Sequence, residues 1–218
     1  MVLRFASHLR FASALAACLA VVVAAPGRGG TVVLQNDSVV DFGTAIVVTG
    51  FVDGEQGASW LTSTCDGDIV ALRILWLSGV GGAPPVLGEA LRIYESGAFP
   101  APGPLLLELL GPQMLDGAFN EFALTPAVPI SDGQTVVVSF IFLSSPPIPN
   151  GPSLVSDSDG CQSGRNAILA IPGGWLNYCS LGASGDFAIR AVVACSGTGI
   201  FSDGFESGDT SAWSFVQP

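Results

Sequence analysis

Apolar and polar positions alternate with a period of two over the stretch 187–194. Phe187, Ile189, Ala191 and Val193 fall on one side, and Ala188, Arg190, Val192 and Ala194 on the other. That period, carried by β-branched residues, is the mark of a strand, and Gly185-Asp186 supplies the turn before it. Arg190 needs an acidic partner or access to water there, because a lone buried charge is costly. The same reading predicts strands over 31–35, 45–52, 58–62, 69–78, 91–95, 105–110, 119–124, 135–143, 167–171 and 175–178. In 69–78 it places Val70, Leu72, Ile74 and Trp76 on one face. Segments 80–85, 97–104 and 144–152, rich in glycine or proline, read as loops. The apolar run 105–110 fits a strand or a helical turn, and the prolines and glycines at its ends favour the strand. No segment sustains the 3.6-residue period of an amphipathic helix.

About nine or ten short strands at this spacing predict an all-β fold, an antiparallel β-sandwich of jelly-roll type. Strands of a membrane barrel would be longer and more uniform, with aromatic girdles. Composition agrees, with 28 Gly, 15 Pro and only 11% charged residues in 218. Lysine is absent, and seven arginines face 18 acidic residues for a net charge of −11. Such a chain is a poor ligand for nucleic acid and has no basic patch to hold it on an anionic membrane.

Residues 1–25 read as an export signal. Arg4, His8 and Arg10 form the positive region, and 11–23 is an apolar stretch of export length, short for a membrane span. Cuts after Ala24 or Gly27 avoid placing Pro26 beside the scissile bond after Ala25. Leu15-Ala16-Ala17-Cys18 resembles a lipobox, which would make Cys18 a lipidated N-terminus. Its apolar run is short, though, and Leu19 to Val23 follow where a polar tether is usual, so the cleaved signal is the favoured reading. Loss of Arg4 and Arg10 takes the formal charge from −11 to −13, and the only histidine, His8, leaves as well. After it come a lead-in over 26–44 with an edge strand, a sandwich domain over 45–195, and an acidic tail over 196–218. No transmembrane segment is expected in the mature chain.

Four cysteines then remain, and an even number in an exported chain implies disulfides. Three pairings are open. Cys161 and Cys179 are symmetric about Ala170, next to the turn Ile171-Pro172-Gly173-Gly174, so they can face each other across a hairpin, which leaves Cys65 at the start of one strand for Cys195 at the end of another. The expected pairs are Cys161–Cys179 and Cys65–Cys195.

Candidate chemistry is bounded by what is missing. Without histidine or lysine the mature chain has no Ser-His-Asp or Cys-His triad, no His-ligated zinc and no Schiff-base lysine. The common plan left is a carboxylate pair, as in glycoside hydrolysis, and Asp53/Glu55, Asp66/Asp68 and Asp157/Asp159 are pairs in sequence. Acidic residues in glycine-rich turns are more often turn formers. Asp157-Ser158-Asp159-Gly160 has the start of an acidic calcium loop, and calcium is the one cofactor suggested, at Asp157 and Asp159. No acidic residue closes that loop. Trp175, with Asn177 and Tyr178, is a candidate binding site: a rigid indole beside an amide can stack on a sugar or anchor a partner, although such a Trp more often covers a core edge. Trp76 reads as core and Trp60 has no distinguishing context. Asn36-Asp37-Ser38 matches a glycosylation sequon by pattern alone.

The tail Gly204-Phe205-Glu206-Ser207-Gly208-Asp209-Thr210-Ser211-Ala212-Trp213-Ser214 resembles the G-F-E-S-G-D-x-S-A-W-S ending of many exported bacterial proteins. The stretch from Asp159-Gly160-Cys161-Gln162 through Ile171-Pro172-Gly173-Gly174-Trp175 and Cys179 to 185–195 resembles a group of uncharacterised secreted bacterial β-sandwich proteins. That resemblance implies fold and export, with a sorting role for the tail, and no activity. The expectation is therefore an exported, non-enzymatic surface or secreted module, structural, adhesive or glycan-binding. A carboxylate-dependent glycoside hydrolase is the alternative.

Overall fold

A computed structural model describes residues 28–40, 42–78, 86–143 and 152–196. The export signal with Cys18, the predicted loop 80–85, the predicted loop 144–152 except Pro152, which opens a strand, and the tail after Ser196 lie outside the described residues. Thirteen strands follow in order: β1 (Arg28–Leu34), β2 (Ile46–Val47), β3 (Gln56–Thr62), β4 (Gly67–Ser78), β5 (Val86–Glu95), β6 (Leu105–Leu110), β7 (Gln113–Met114), β8 (Ala118–Ile130), β9 (Thr135–Phe142), β10 (Pro152–Ser156), β11 (Asn166–Ala170), β12 (Gly174–Asn177) and β13 (Ile189–Ser196). They form two antiparallel sheets. One has six strands, β1-β13-β4-β10-β2 with β8 on the far side of β4; the other has seven, β12-β11-β3-β9-β5-β6 with β7 on β5. Among the described residues no helix is long and apolar enough to cross a membrane.

The core lies between the sheets and follows from alternation. Phe187, Ile189, Ala191 and Val193 from one sheet meet Val136, Val138, Phe140 and Phe142 from the other. Trp76 packs against Phe140 at 4.9 Å, and Phe51 stacks on Phe142 at 4.2 Å. Strand β4 keeps the predicted face from Leu72 to Trp76 but not below it. Val192 pairs with Ala71 and Val193 with Ile69, so Val70 is an extra, bulged residue, and Ile69 takes the core position in its place. The expected strand 45–52 shrinks to Ile46–Val47, and β10 was not expected at all.

Both disulfides join the expected cysteines, Cys65–Cys195 and Cys161–Cys179, with Cα separations of 5.8 and 5.5 Å. The first ties the start of β4 to the end of β13 at one end of the sandwich. The second ties the loop after β10 to a 3-10 turn at 178–181. Two such bridges are consistent with an oxidising, extracellular setting.

The bridges close loops of very different length, with sequence separations of 130 and 18. Restriction of the unfolded chain then predicts that Cys65→Ser with Cys195→Ser lowers stability by about 4–5 kcal/mol, and the other pair by about 3 kcal/mol. Urea unfolding of the two double variants reads both numbers; equal losses would discard the loop-length account.

Candidate functional site

The densest polar cluster is built where β13 joins its sheet. Strand β4 offers one edge to β13 as far as Ile74 and then to β10 from Trp76 to Ser78. Between them Ala188 is wedged: Leu75 N donates to Ala188 O, and Ala188 N donates to Val155 O at 2.8 Å. The incoming chain runs antiparallel to the end of β10, with Ser156 opposite Phe187, then turns over Phe187–Ile189 into β13.

A wedge of this kind breaks the regular ladder and strands backbone N–H groups away from water, and each must find an acceptor. Here side chains supply them. Asp157 takes Asp186 N on Oδ1 and Ser38 N on Oδ2, both at 2.7 Å. Asp186 takes Gln162 N at 3.0 Å and the Asn166 amide on Oδ1. Asn166 Oδ1 in turn accepts from Phe187 N at 3.2 Å and from Ser59 Oγ at 2.8 Å, which links the two sheets. Asp157 is 1% exposed and Asp186 0%. Gly185 is required beside them, since a Cβ there would lie 2.0 Å from Asp157 O. Burial pushes the Asp186 carboxyl above its ordinary range, aided by the charges of Asp157 and Asp159 and opposed by the Gln162 bonds. Its Oδ2 is buried without a hydrogen-bond partner among the described residues. Nearby, burial also raises the Tyr178 phenol.

Arg190 has the acidic partner its position demands. Its guanidinium binds Asp37 through two nitrogens, donates to Val39 O at 2.6 Å, and lies 4.3 Å from the centre of the Phe119 ring. The pair pins the segment after β1 across the outer face of the six-stranded sheet. Asn36 does the same toward the other sheet: its amide donates to Trp60 O at 3.0 Å, so the sequon nitrogen is engaged.

The candidate binding residues do not gather on one surface. Trp175 and Asn177 share the outer face of β12, opposite Leu169 and Ala167. Asn177 caps the 3-10 turn, accepting from Cys179 N at 3.1 Å, and that turn swings Tyr178 inward, where it stacks on Phe187 at 4.3 Å and is 8% exposed. Trp175 instead meets Trp60 edge-on at 6.4 Å, and Trp60 meets Phe99 at 5.0 Å. With Tyr94 these rings cover Ala58, Val137 and Ala167 on the outer face of the seven-stranded sheet. Trp60 anchors the cluster by donating Nε1–H to Ser96 O at 2.8 Å.

Of the carboxylate pairs of the sequence, Asp157/Asp159 is split between interior and surface, and Glu55 and Asp66 are engaged with backbone amides. Asp157 faces inward and Asp159 is exposed, and both oxygens of Asp157 hold backbone amides. Glu55 likewise accepts from Val52 N and Ile171 N. Asp66 accepts from Asp132 N. The carboxyls that do meet, Asp157 and Asp186, meet inside the protein. A groove of about 150 Å³ between Val48–Phe51 and Ile168–Ala170 is lined by apolar atoms and Glu55, well under the ~300–1,000 Å³ of ordinary ligand sites.

Asp186, Asn166 and Asp37 were the residues that periodicity left out. Asp186 reads in sequence as half of a Gly-Asp turn, and nothing local distinguishes it from the exposed aspartates at 53, 66 or 132. The one available signal was Arg190, a charge on a core strand that required a carboxylate elsewhere.

Set against known proteins, the chain matches no family model, no curated protein and no solved structure.

Two outcomes follow. Asp37→Ala leaves Arg190, whose side chain is 13% exposed, without its partner and is expected to cost about 3–5 kcal/mol in urea unfolding; a cost near zero would show the pair to be ornamental. For Asp186 the folded pKa is raised above that of the unfolded chain. Its contribution to stability is therefore whole below the ordinary value of 3.8 and is lost as pH climbs through the raised one. The stability of Asp186→Asn relative to wild type should rise across that window. A difference that stays flat with pH would mean the carboxyl titrates normally.

Proposed function

We propose that this chain is an exported, non-enzymatic binding module, secreted or held at a cell surface, and that it recognises glycan. The observation that carries this reading is the aromatic cluster on the outer face of the seven-stranded sheet. Trp175, Tyr94 and Phe99 are half-buried around a buried Trp60, where an unengaged sheet face would present polar residues to water. Rings held rigid by their neighbours lose little freedom on binding and offer apolar faces of the size of a sugar ring. Arg92, with Tyr94 OH at 3.4 Å, and the hydroxyls of Thr62 and Thr135 add hydrogen-bonding groups on the same face.

The chemistry of the chain supports binding over catalysis. The mature sequence has neither histidine nor lysine, its four cysteines are bridged, and Glu55 and Asp157 are committed to backbone amides. A glycosidase would need two carboxyls free on opposite sides of a substrate. The tail over 196–218 fits a sorting or attachment signal under the same proposal, with the sandwich from β1 to β13 as the part displayed.

A glycan array probed with wild type and Trp175→Ala tests the reading. Binding by wild type that falls roughly tenfold or more in the variant is expected, since one stacked ring is worth about 0.5–1.5 kcal/mol and further contacts ride on it. The variant should keep both disulfides and a cooperative melt. No binding by wild type would remove the glycan.

A further inference from the structure

Strand β6 ends the seven-stranded sheet, and among the described residues it pairs with β5 alone. Natural sheet edges are guarded by lysine, by proline or by inward charges. This one reads Leu-Leu-Leu-Glu-Leu-Leu, with Leu105, Leu106 and Leu110 exposed at 50%, 41% and 71%. Its one charge, Glu108, is neutralised within the chain by Arg92.

The direction of its open hydrogen-bonding groups can be worked out. Gly111 N donates to Glu89 O at 3.0 Å, and Leu109 and Leu107 stand opposite Leu91 and Ile93 in the same register. Residues 107, 109 and 111 therefore turn their backbone groups toward β5, and by alternation Glu108 and Leu110 turn theirs outward. On the other side of Leu107 the register slips by one residue at Leu106, and Pro104 and Pro112 flank the strand. The usable edge is thus Leu107–Gly111, with two outward residues.

We propose that this edge pairs with the same edge of a second copy, antiparallel about a two-fold axis at Leu109. That centre is the one that sets both outward residues opposite each other, Glu108 against Leu110 of the second copy and the reverse, for about four backbone hydrogen bonds. It also sets Leu109 against its own counterpart on the core side, where Leu107 and Leu109 already pack on the core. A centre at residue 108 would oppose Glu108 to itself, and a centre at 110 would oppose Glu108 to Pro112, which has no N–H. Charge favours the same choice. The chosen register brings no like charges together, while the net −11 elsewhere acts at longer range, where salt screens it. A pairing this short is at the small end of interfaces, so a dissociation constant on the order of 100 µM is expected, tightening as salt is raised.

Sedimentation velocity of the oxidised full chain from roughly 10 µM to roughly 1 mM brackets that affinity. Wild type should move from monomer to dimer. Leu110→Pro removes an outward N–H without touching the β5 ladder, so it should stay monomeric and keep its melting temperature. Leu110→Glu should weaken the dimer by about tenfold or more by facing Glu108 of the second copy, and Leu110→Arg should dimerise at least as well as wild type. If the proline variant does not fold, the Glu and Arg pair decides by itself. Wild type that remains monomeric at the highest concentration overturns the proposal and leaves the edge to an extended segment of another protein. Equal behaviour of the Glu and Arg variants overturns the register and with it the two-fold pairing.

Discussion

A buried backbone amide without an acceptor costs more than most single contacts in a small protein return, and the wedge of β13 between β4 and β10 creates several at once. The sandwich tolerates the wedge because two carboxylates and one carboxamide stand where the ladder is missing. Asp157 holds the loop after β1 and the turn into β13, Asp186 holds the loop after β10, and Asn166 holds the turn from the opposite sheet. Three chain segments far apart in sequence therefore meet at side chains. Nearby, the Cys161–Cys179 bridge adds a covalent tie to the same loop. Remove the acceptors and Phe187, which caps the core from this turn, loses the frame that aims it.

That arrangement gives Asp157 and Asp186 different surroundings. Asp157 accepts one N–H on each oxygen, whereas Asp186 accepts both of its N–H bonds on one oxygen and keeps the other buried and unpartnered. Burial disfavours the charged form of Asp186, and the neighbouring charges of Asp157 and Asp159 add to the effect. The raised pKa of Asp186 follows from this. Both carboxyls are buried, Asp157 at 1% exposure and Asp186 at 0%.

Alternation along the chain made most of the fold legible, because each long strand has one face against the core. Strand β13 and the upper part of β4 obey it, and Arg190 announced a carboxylate partner before any partner was in view. Periodicity failed where local geometry breaks its count. The bulge at Val70 exchanges which of Ile69 and Val70 faces inward. Tyr178, read as a surface candidate beside Asn177, is a core residue on the side opposite it. Strand β10 escaped because Ser153-Leu154-Val155-Ser156 is short and follows a proline-rich stretch, and its pairing with β4 covers only Pro152 to Leu154. The polar cluster was least legible. Its members read one by one as turn formers, and they acquire a joint role only through contacts spanning 119 and 29 positions.

What the interior uses up determines what the exterior can do. Cysteines, the inward carboxylates and Arg190 are all consumed in holding the fold, and several of the remaining charges pair across a sheet surface, as Arg73 does with Glu121 and Arg92 with Glu108. Under the proposed reading, recognition rests on apolar and backbone groups that the fold leaves uncovered. The seven-stranded sheet carries two such sets, the rings around Trp60 on its face and the leucines of β6 at its edge. The face offers rigid rings to a ligand of fitting shape, and the edge offers hydrogen bonds to any extended chain of compatible register. Arg92 stands between the two, beside Tyr94 on the face and bound through its guanidinium to Glu108 of β6.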